Sequence, residues 1–409
     1  MNAEQIKKQR SVVKKRMKKL SGQKFAATPN IYIMAMQQQT SKEKAILVGI
    51  VTPKVRRDAA EEHLEELERL SETAGAVVTK TFLQRVQAFN PATLIGEGKV
   101  SEIRNALEEE SAGLVIFDED LSGSQVRNLE ERLPGIKVLD RTGIILDIFA
   151  KHAITAESRL MVEVAQLEYL VPRLTHAWTH LSRQAGGRGI GMNGPGETQL
   201  ETDRRIIHKK IQELKKKLEK IEGARERQAM RRSEIFQVGI VGYTNAGKST
   251  LTNRLTKSNV FVKDQLFATL DSTMRKLYVG NGKFILLSDT VGFIRKLPPH
   301  LIATFKSTLG AASNAHLILN VVDATASDYA EHLEITHRIL DGLVAPEIPR
   351  IIVFNKAESA TPDRRAELLA HFPEAIQVSA KENIGMEALR GILVEKMLAW
   401  EESRRMRTN

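Results

Sequence analysis

The stretch that decides the fold reads Gly242-Tyr243-Thr244-Asn245-Ala246-Gly247-Lys248-Ser249. It follows the apolar residues 235–241, a pattern typical of a buried strand, and precedes residues 250–255, which have the pattern of a helix. A strand, a glycine-rich loop and a helix in this order predict a phosphate-binding loop of the form G-x-x-x-x-G-K-S. The glycines allow a tight turn that aims backbone N–H groups at phosphate oxygens, and the helix N-terminus adds favourable partial charge.

Two side chains of this loop have predicted roles. Lys248 is expected to reach the β- and γ-phosphates, and Ser249 is expected to bind Mg²⁺. The alternative for the motif alone is a glycine turn that only packs. The sequence that follows decides between these interpretations.

Further elements follow in the order that guanine-nucleotide hydrolysis requires. Thr269, within residues 267–271, is the candidate for sensing Mg²⁺ and the γ-phosphate. A second apolar run leads to a D-x-x-G element, in which Asp289 would hold Mg²⁺ through water and the Gly292 N–H would contact the γ-phosphate. The predicted metal ligands are Ser249, Thr269 and Asp289, and the predicted catalytic residues are Lys248, Thr269 and Gly292.

The base-recognition elements come last. Residues 355–358 read Asn-Lys-Ala-Glu and occupy the N-K-x-D position that selects guanine, so Glu358 stands where an aspartate is usual. Its extra methylene predicts looser or less selective guanine binding. Residues 379–381 match an S-A-K element, whose Ala380 N–H would meet the guanine O6. The residues predicted to bind the nucleotide are Gly242, Tyr243, Thr244, Asn245, Ala246, Gly247, Lys248, Ser249, Thr250, Phe267, Ala268, Thr269, Asp289, Thr290, Val291, Gly292, Asn355, Lys356, Glu358, Ser379, Ala380 and Lys381.

Two positions bear on the rate of hydrolysis. Phe293 directly follows Gly292, where Ras-like enzymes carry the glutamine that orients water. Intrinsic hydrolysis is therefore expected to be slow unless another group or a partner positions the water. Asn245 is compatible with a bound K⁺ that acts as a fixed positive charge, or with a hydrogen bond that only stabilises the loop.

Composition limits the class of protein. The chain has 409 residues, 42% of them hydrophobic and 27% charged, which predicts a soluble protein of two or three domains. Because it has no cysteine, disulfides, thiolate metal sites and cysteine nucleophiles are excluded, and a cytoplasmic location is expected. The net charge of +11 suggests a polyanionic partner. The basic residues 1–24 are either part of that contact or a solvated tail, and their attachment to a membrane surface has little apolar support.

The region before the phosphate-binding loop predicts two further units. Strands at residues 45–51, 76–82, 114–117 and 137–139 alternate with helices at 61–73, 101–110 and 124–133, which predicts a small α/β domain with a parallel or mixed sheet. A G-x-G-K turn in this domain, made by Gly96, Gly98 and Lys99, could approach a phosphate or be a structural turn.

The middle of the chain has the pattern of an antiparallel helical hairpin. Its apolar seam is Leu160, Val164, Leu167 and Val171 on the first helix, with Ile207, Ile211, Leu214, Leu218 and Ile221 on the second. The glycine-rich loop 186–205 lies between them, and the second helix carries many lysines, either as a solvated face or as a contact for RNA phosphates. The expected units are a basic extension (1–44), the α/β domain (45–142), the hairpin (143–233), a G domain with a mainly parallel sheet and helices on both faces (234–403), and a tail (404–409).

Several motifs together resemble the HflX family of ribosome-associated GTPases. They are the phosphate-binding loop, residues 267–271 and 289–294, and above all residues 194–203, which read Gly-Pro-Gly-Glu-Thr-Gln-Leu-Glu-Thr-Asp. The resemblance implies a GTPase that binds the large ribosomal subunit near the peptidyl-transferase centre, splits stalled or idle ribosomes in its GTP state and leaves after hydrolysis. We expect the chain to be a monomer. Arg188, Asn193, Arg204 and Arg205 are the candidate rRNA contacts. The resemblance also implies ATP at the N-terminal domain, for which Gly96, Gly98 and Lys99 are the nearest candidates.

Three departures from the family pattern stand out, and two other functions are compatible with parts of the sequence. Glu358 replaces aspartate, Arg188 and Asn193 alter the glycine loop, and the chain ends soon after the expected last G-domain helix, so an additional C-terminal domain is not expected. One alternative function is a nucleotide-gated RNA-binding or assembly module in which hydrolysis is incidental. The other is a tRNA-modifying GTPase, which the terminal G domain and the absence of cysteine oppose.

Overall fold

The structure is a computed structural model that describes residues 43–53, 55–176, 195–232, 234–257, 266–267, 269–298, 301, 312–342 and 344–408. Its first sheet has the order β2-β1-β3-β4, and β3 pairs in parallel with both β1 and β4. The strands are β1 Glu43–Val51, β2 Ala76–Arg85, β3 Leu114–Phe117 and β4 Lys137–Asp140. The predicted N-terminal α/β fold is therefore confirmed, with β2 longer than its sequence pattern indicated.

Helices pack on this sheet through their apolar faces. They are α1 Arg57–Ala74, α2 Glu97–Glu109, α3 Gly123–Arg132 and α4 Arg141–His152. Helix α1 buries Leu64, Leu67 and Leu70 at helical spacing, and its C-cap is Gly75, whose φ of +96° suits a residue without Cβ. Helix α2 begins four residues before the predicted Ser101, because Gly96 is its N-cap.

Helix α4 runs across the expected domain limit between residues 142 and 143. Its residues Ile144, Ile145, Ile148 and Phe149 are buried with the strands of the first sheet. An apolar helix that covers a sheet belongs to the core of that sheet. We therefore propose that the N-terminal domain includes α4; the other domain limits stay predictions.

The predicted helical pair is present, with altered boundaries. Helix α5 is Ala156–Leu170, a 3₁₀ helix continues it over Val171–His176, and helix α6 is Pro195–Arg232. Val164 and Leu167 of α5 pack against Ile207, Ile211 and Leu214 of α6, as the heptad pattern predicted. The expectation of a loop up to residue 205 is wrong, because α6 already begins at Pro195, a residue whose fixed φ favours the first turn of a helix.

A second sheet forms the C-terminal half and has the order β10-β9-β8-β5-β7-β6. Its strands are β5 Gln237–Gly242, β6 Thr273–Gly280, β7 Lys283–Asp289, β8 Leu317–Asp323, β9 Arg350–Asn355 and β10 Ile376–Gln377. Every pairing is parallel except that of β6 with β7. The mainly parallel sheet is confirmed, and β6 is a strand that the sequence reasoning missed.

Helices cover both faces of the second sheet, as predicted. They are α7 Lys248–Thr256, α8 Tyr329–Asp341, α9 Pro362–His371 and α10 Met386–Thr408. Helices α7 and α10 share one core with the sheet, while α8 and α9 pack on the opposite side. The expected tail from residue 404 is the last turn of α10 up to Thr408, where Arg404 pairs with Glu234 at 3.2 Å.

Candidate functional site

The loop between β5 and α7 passes close to neighbouring backbone. Gly242 has a φ of +142°, and a Cβ there would lie 2.1 Å from the carbonyl oxygen of Val321. Gly247 has a φ of +87°, and a Cβ there would lie 2.2 Å from Nδ2 of Asn355. Both positions therefore require glycine for steric reasons as well as for their backbone conformation.

Lys248 turns back over this loop. Its Nζ donates to the carbonyl oxygens of Gly242 at 3.1 Å and Tyr243 at 2.8 Å. Burial lowers the pKa of Lys248 to about 8, although the Asp289 carboxylate acts in the opposite direction. The hydrogen bonds of this ammonium go to neutral carbonyl oxygens, so a phosphate at the loop would give it a negatively charged partner.

The three predicted metal ligands lie together. The Ser249 hydroxyl donates to Oδ2 of Asp289 at 2.6 Å and lies 2.9 Å from the Thr269 hydroxyl. Oδ1 of Asp289 is buried without a hydrogen-bond partner among the described residues. Burial raises the pKa of Asp289, and the hydrogen bond from Ser249 opposes that shift. Two hydroxyls and a buried carboxylate oxygen in need of a partner are hard oxygen donors that fit Mg²⁺.

The D-x-x-G element is held against the phosphate-binding loop by backbone hydrogen bonds. The Thr244 N–H donates to the Phe293 carbonyl at 2.7 Å, and the Phe293 N–H donates to the Gly242 carbonyl at 3.1 Å. The Phe293 ring is buried in the core beneath α8, so position 293 offers no side chain to the nucleotide. The glycine at 292 is packed so closely that an added Cβ would lie 2.7 Å from Cα of Thr244.

The base-recognition elements meet at the other end of the loop. Asn355 donates to the Ala246 carbonyl at 2.9 Å and accepts from the Ala380 N–H at 3.0 Å, so it joins both loops. Lys356 pairs with Asp323 at 2.7 Å. Oε2 of Glu358 is buried and has no hydrogen-bond partner among the described residues, which leaves it available to a base.

One cavity of about 450 Å³ connects these elements. The predicted residues that line it are Thr244, Asn245, Gly247, Lys248, Ser249, Thr250, Phe267, Thr269, Thr290, Gly292, Asn355, Lys356, Glu358, Ala380 and Lys381, and Ser359 joins them. Gly242, Ala246 and Asp289 lie behind this lining and accept hydrogen bonds from Lys248, Asn355 and Ser249, and Ser379 is fully buried beside Ala380. Tyr243 and Val291 instead face the core of the N-terminal half.

The other predicted contacts have different environments. Arg188, Asn193 and Ala268 lie outside the described residues. Arg204 and Arg205 lie on α6, and Arg205 is exposed. Lys99 pairs with Glu102 and stacks on Phe82. A separate cavity of about 440 Å³ beside the first sheet is lined by Asp118, Glu119 and Lys296, among others. The phosphate site at Gly96, Gly98 and Lys99 stays a prediction.

Arg254 is a site residue that sequence reasoning missed. Projecting from α7, it donates to the carbonyl oxygens of Ala380 at 2.9 Å and Lys381 at 2.6 Å. It thereby ties the helix that follows the phosphate-binding loop to the S-A-K element. The sequence carried no signal for this contact, because the partners are 126 and 127 residues away.

A buried charged network joins the same site to the N-terminal half. Tyr243 donates to Glu66 of α1 and accepts from the Arg295 N–H at 2.8 Å. Glu66 also pairs with Arg141, which contacts Asp118 at 2.7 Å. Burial lowers the pKa of Arg141 to about 10. Lys296 reaches Glu119 at 2.6 Å and also pairs with Asp118, which extends the network.

Comparison with known proteins agrees with this arrangement. Three family profiles match in succession: GTP-binding GTPase N-terminal over residues 61–150, GTP-binding GTPase Middle Region over 152–232, and 50S ribosome-binding GTPase over 237–356. The GTPase HflX of Flavobacterium psychrophilum is 47% identical over 326 residues, which cover 80% of this chain and 78% of that protein. The GTPase HflX of Escherichia coli (strain K12) is 44% identical over 362 residues, covering 87% and 83%.

A solved structure shares the architecture. The crystal structure of SsGBP in complex with GDP has 26% identity and a TM-score of 0.50, and the match covers 88% of this chain and 99% of that one. The fold and the site thus define a G-domain protein that binds guanine nucleotides. The chain belongs to the HflX family of GTPases, which are GTP hydrolases, and the resemblance seen in the sequence is confirmed.

Proposed function

We propose that this GTPase binds the large ribosomal subunit, promotes the dissociation or rescue of ribosomes in its GTP state, and is released by hydrolysis. Support comes from the profile description of a 50S ribosome-binding GTPase and from the charge of α6. No helix in the described part of the chain is long and apolar enough to cross a membrane. We expect the protein to act as a monomer in the cytoplasm.

The observation that carries the proposal is a basic row along α6. Arg205, Lys209, Lys216 and Lys220 are exposed, and their spacing of 4, 7 and 4 residues places them on one side of the helix, where the exposed Glu213 interrupts the row between Lys209 and Lys216. Lys210 and Lys215, by contrast, pair with Glu163 and Glu168 of α5 at 2.6 and 2.7 Å. The helix thus uses two lysines to hold its neighbour and presents others to a polyanion such as rRNA.

The chemistry of hydrolysis is divided between the protein and its ligands. Mg²⁺ held by Ser249, Thr269 and Asp289 would neutralise charge that develops on the phosphates. Lys248 would contact the β- and γ-phosphates, and the Gly292 N–H would contact the γ-phosphate. Because the side chain at 293 is in the core, the attacking water must be oriented by another group. A contribution from the ribosome at this step would make hydrolysis depend on the bound subunit.

A K⁺ requirement is part of the same proposal. Asn245 lines the cavity with a φ of +60°, and its side chain makes no hydrogen bond to the described residues. The alternative role, a hydrogen bond that stabilises the loop, therefore has no support among these contacts. Hydrolysis is expected to be faster in K⁺ than in Na⁺, and equal rates would exclude the ion.

The decisive experiment measures GTP and ATP hydrolysis with and without purified large subunits, together with free subunits on sucrose gradients. GTP hydrolysis should rise with added subunits. The stimulation factor is the GTP hydrolysis rate with large subunits divided by the rate without them. In a Lys209→Glu/Lys216→Glu variant, this factor should fall towards one. Lys396→Glu, at an exposed site on α10, is the charge control and makes half of this change in charge. The logarithm of the subunit-binding constant falls linearly with the logarithm of the salt concentration, and this fall should become less steep by about 0.7–0.9 for each phosphate that the helix no longer neutralises. No stimulation by subunits would refute the proposal.

The alternative is a nucleotide-gated RNA-binding module whose turnover is incidental. The buried Phe293 favours it, since position 293 supplies no water-orienting side chain. It would be preferred if Asp289→Asn, which impairs the Mg²⁺ site, still performed the cellular task.

A further inference from the structure

The segment that contains Thr269 is held by the N-terminal half of the chain. Leu266, Phe267 and Leu270 are buried in the core that covers the first sheet. The Phe267 ring packs edge-on against Phe149 of α4, with ring centroids 4.7 Å apart and an interplanar angle of 80°. Three apolar side chains of this nucleotide-contacting segment thus pack against residues of the first sheet and α4, which lie outside the G domain.

Asp271 adds a polar anchor at the start of α5. Its Oδ2 accepts from the backbone N–H groups of Ile154 at 3.1 Å and Thr155 at 3.3 Å, and its Oδ1 accepts from the Thr155 hydroxyl at 2.5 Å. Thr155 is itself the N-cap of α5 and accepts from the Ser158 N–H at 3.1 Å. A carboxylate at a helix N-terminus is favoured by the exposed N–H groups and by the helix dipole.

These anchors surround the Mg²⁺ ligand of the segment. Thr269 lies two residues before Asp271 and two residues after Phe267. Its hydroxyl lies 2.9 Å from that of Ser249, which donates to Asp289. Fixing the chain on both sides limits how far Thr269 can move from the metal site, which lowers the entropy lost when Mg²⁺ and GTP bind.

We propose that Asp271 and Thr155 are positioning residues for GTP hydrolysis, acting through Thr269. The N-terminus of α5 holds the segment so that the Thr269 hydroxyl stays at the metal site. The part of the chain before the G domain then helps to position a residue of the GTPase site. This inference rests on GTP hydrolysis by the G domain and is independent of the ribosome.

A purely structural role of the same contacts makes different predictions. If Asp271 only stabilised the start of α5, its loss would lower stability and leave the kinetics of folded protein unchanged. Because Thr269 is expected to contact Mg²⁺ and the γ-phosphate, a positioning role affects GTP and Mg²⁺ and spares GDP. Comparing the two nucleotides therefore separates the roles.

The test uses the full chain without ribosomes and compares Asp271→Asn, Thr155→Val and Thr155→Ser. Asp271→Asn should lower kcat for GTP by about tenfold, the effect of losing one charge-assisted hydrogen bond. It should also raise the Mg²⁺ concentration for half-maximal rate and leave GDP affinity unchanged. Thr155→Val should act in the same direction, and Thr155→Ser should retain the wild-type rate because it keeps the hydroxyl.

Ser122→Ala is the matched control. It removes the N-cap of α3 in the N-terminal half, where Ser122 accepts from the Gln125 N–H at 3.2 Å, and should lower stability without changing kcat. The double variant Asp271→Asn/Thr155→Val should be no slower than Asp271→Asn alone, because both changes act on the same contact between Asp271 and Thr155. Unchanged kcat and Mg²⁺ dependence in Asp271→Asn, or equal losses of GTP and GDP affinity, would overturn the proposal. Failure of large subunits to stimulate the wild type would refute only the ribosomal function.

Discussion

Replacement of Glu66 by glutamine tests the buried network between the N-terminal half and the phosphate-binding loop. The Glu66 side chain is 4% exposed and is held by Arg141, Tyr243 and Arg295. Removing one partner of a buried ion pair costs about 3–5 kcal/mol, because the remaining charge stays buried. Arg141 keeps Asp118 at 2.7 Å, and Arg295 keeps other carboxylates. We therefore expect the lower end, about 3 kcal/mol.

The free energy of opening of this interface is best measured by native-state hydrogen exchange, since a chain of several domains need not unfold in one step. Peptides from α1 and from residues 289–296 should lose about 3 kcal/mol of protection in Glu66→Gln. Glu65→Gln makes the same charge change on an exposed neighbour in α1 and should stay within about 0.5 kcal/mol of wild type. A Glu66→Gln protein as protected as Glu65→Gln would refute the reasoning.

Three further predictions concern the nucleotide site. In Gly292→Ala, the added Cβ would lie 2.7 Å from Cα of Thr244 and 3.0 Å from Nζ of Lys248. The rate of single-turnover GTP hydrolysis should therefore fall about tenfold or more, while GDP affinity changes little. A wild-type rate would contradict the close packing. Glu358→Asp introduces the shorter acid that is usual at this position. In competition binding, it should raise the preference for GTP over ITP, which lacks the exocyclic amine, by about five- to tenfold. An unchanged ratio of the GTP and ITP affinities would show that the longer side chain already reaches the base. Lys248 has its pKa lowered to about 8 by burial, so it is protonated below that pH and loses its charge above it. Nucleotide affinity, measured by calorimetry, should therefore fall by up to about tenfold per pH unit above pH 8, and binding should take up protons. The affinity of Lys248→Arg should not follow this slope, because arginine stays charged. A wild-type affinity that is constant up to about pH 9.5 would contradict the lowered pKa of Lys248.

Local patterns in the sequence determined the architecture and the type of site. Glycines 242 and 247, the lysine and serine that follow them, and the strand before them define a phosphate-binding loop, because the required backbone geometry lies within one short segment. The apolar periodicity of residues 160–171 and 207–218 likewise predicted which faces of α5 and α6 meet. Such features depend on neighbours along the chain, and the structure bears out this fold.

Only the tertiary structure decided which distant side chains serve that site. Tyr243 belongs to the loop by sequence, yet it turns towards Glu66, 177 residues away, and Asp271 reaches the start of α5, 116 residues away. Arg254 likewise finds the S-A-K carbonyls across the fold. These contacts arise because sheets and helices bring remote segments together, and hydrogen bonds of this kind leave no periodic pattern in a single sequence. The sequence alone therefore determined a guanine-nucleotide site, and the packing of the two halves determined what holds it in place.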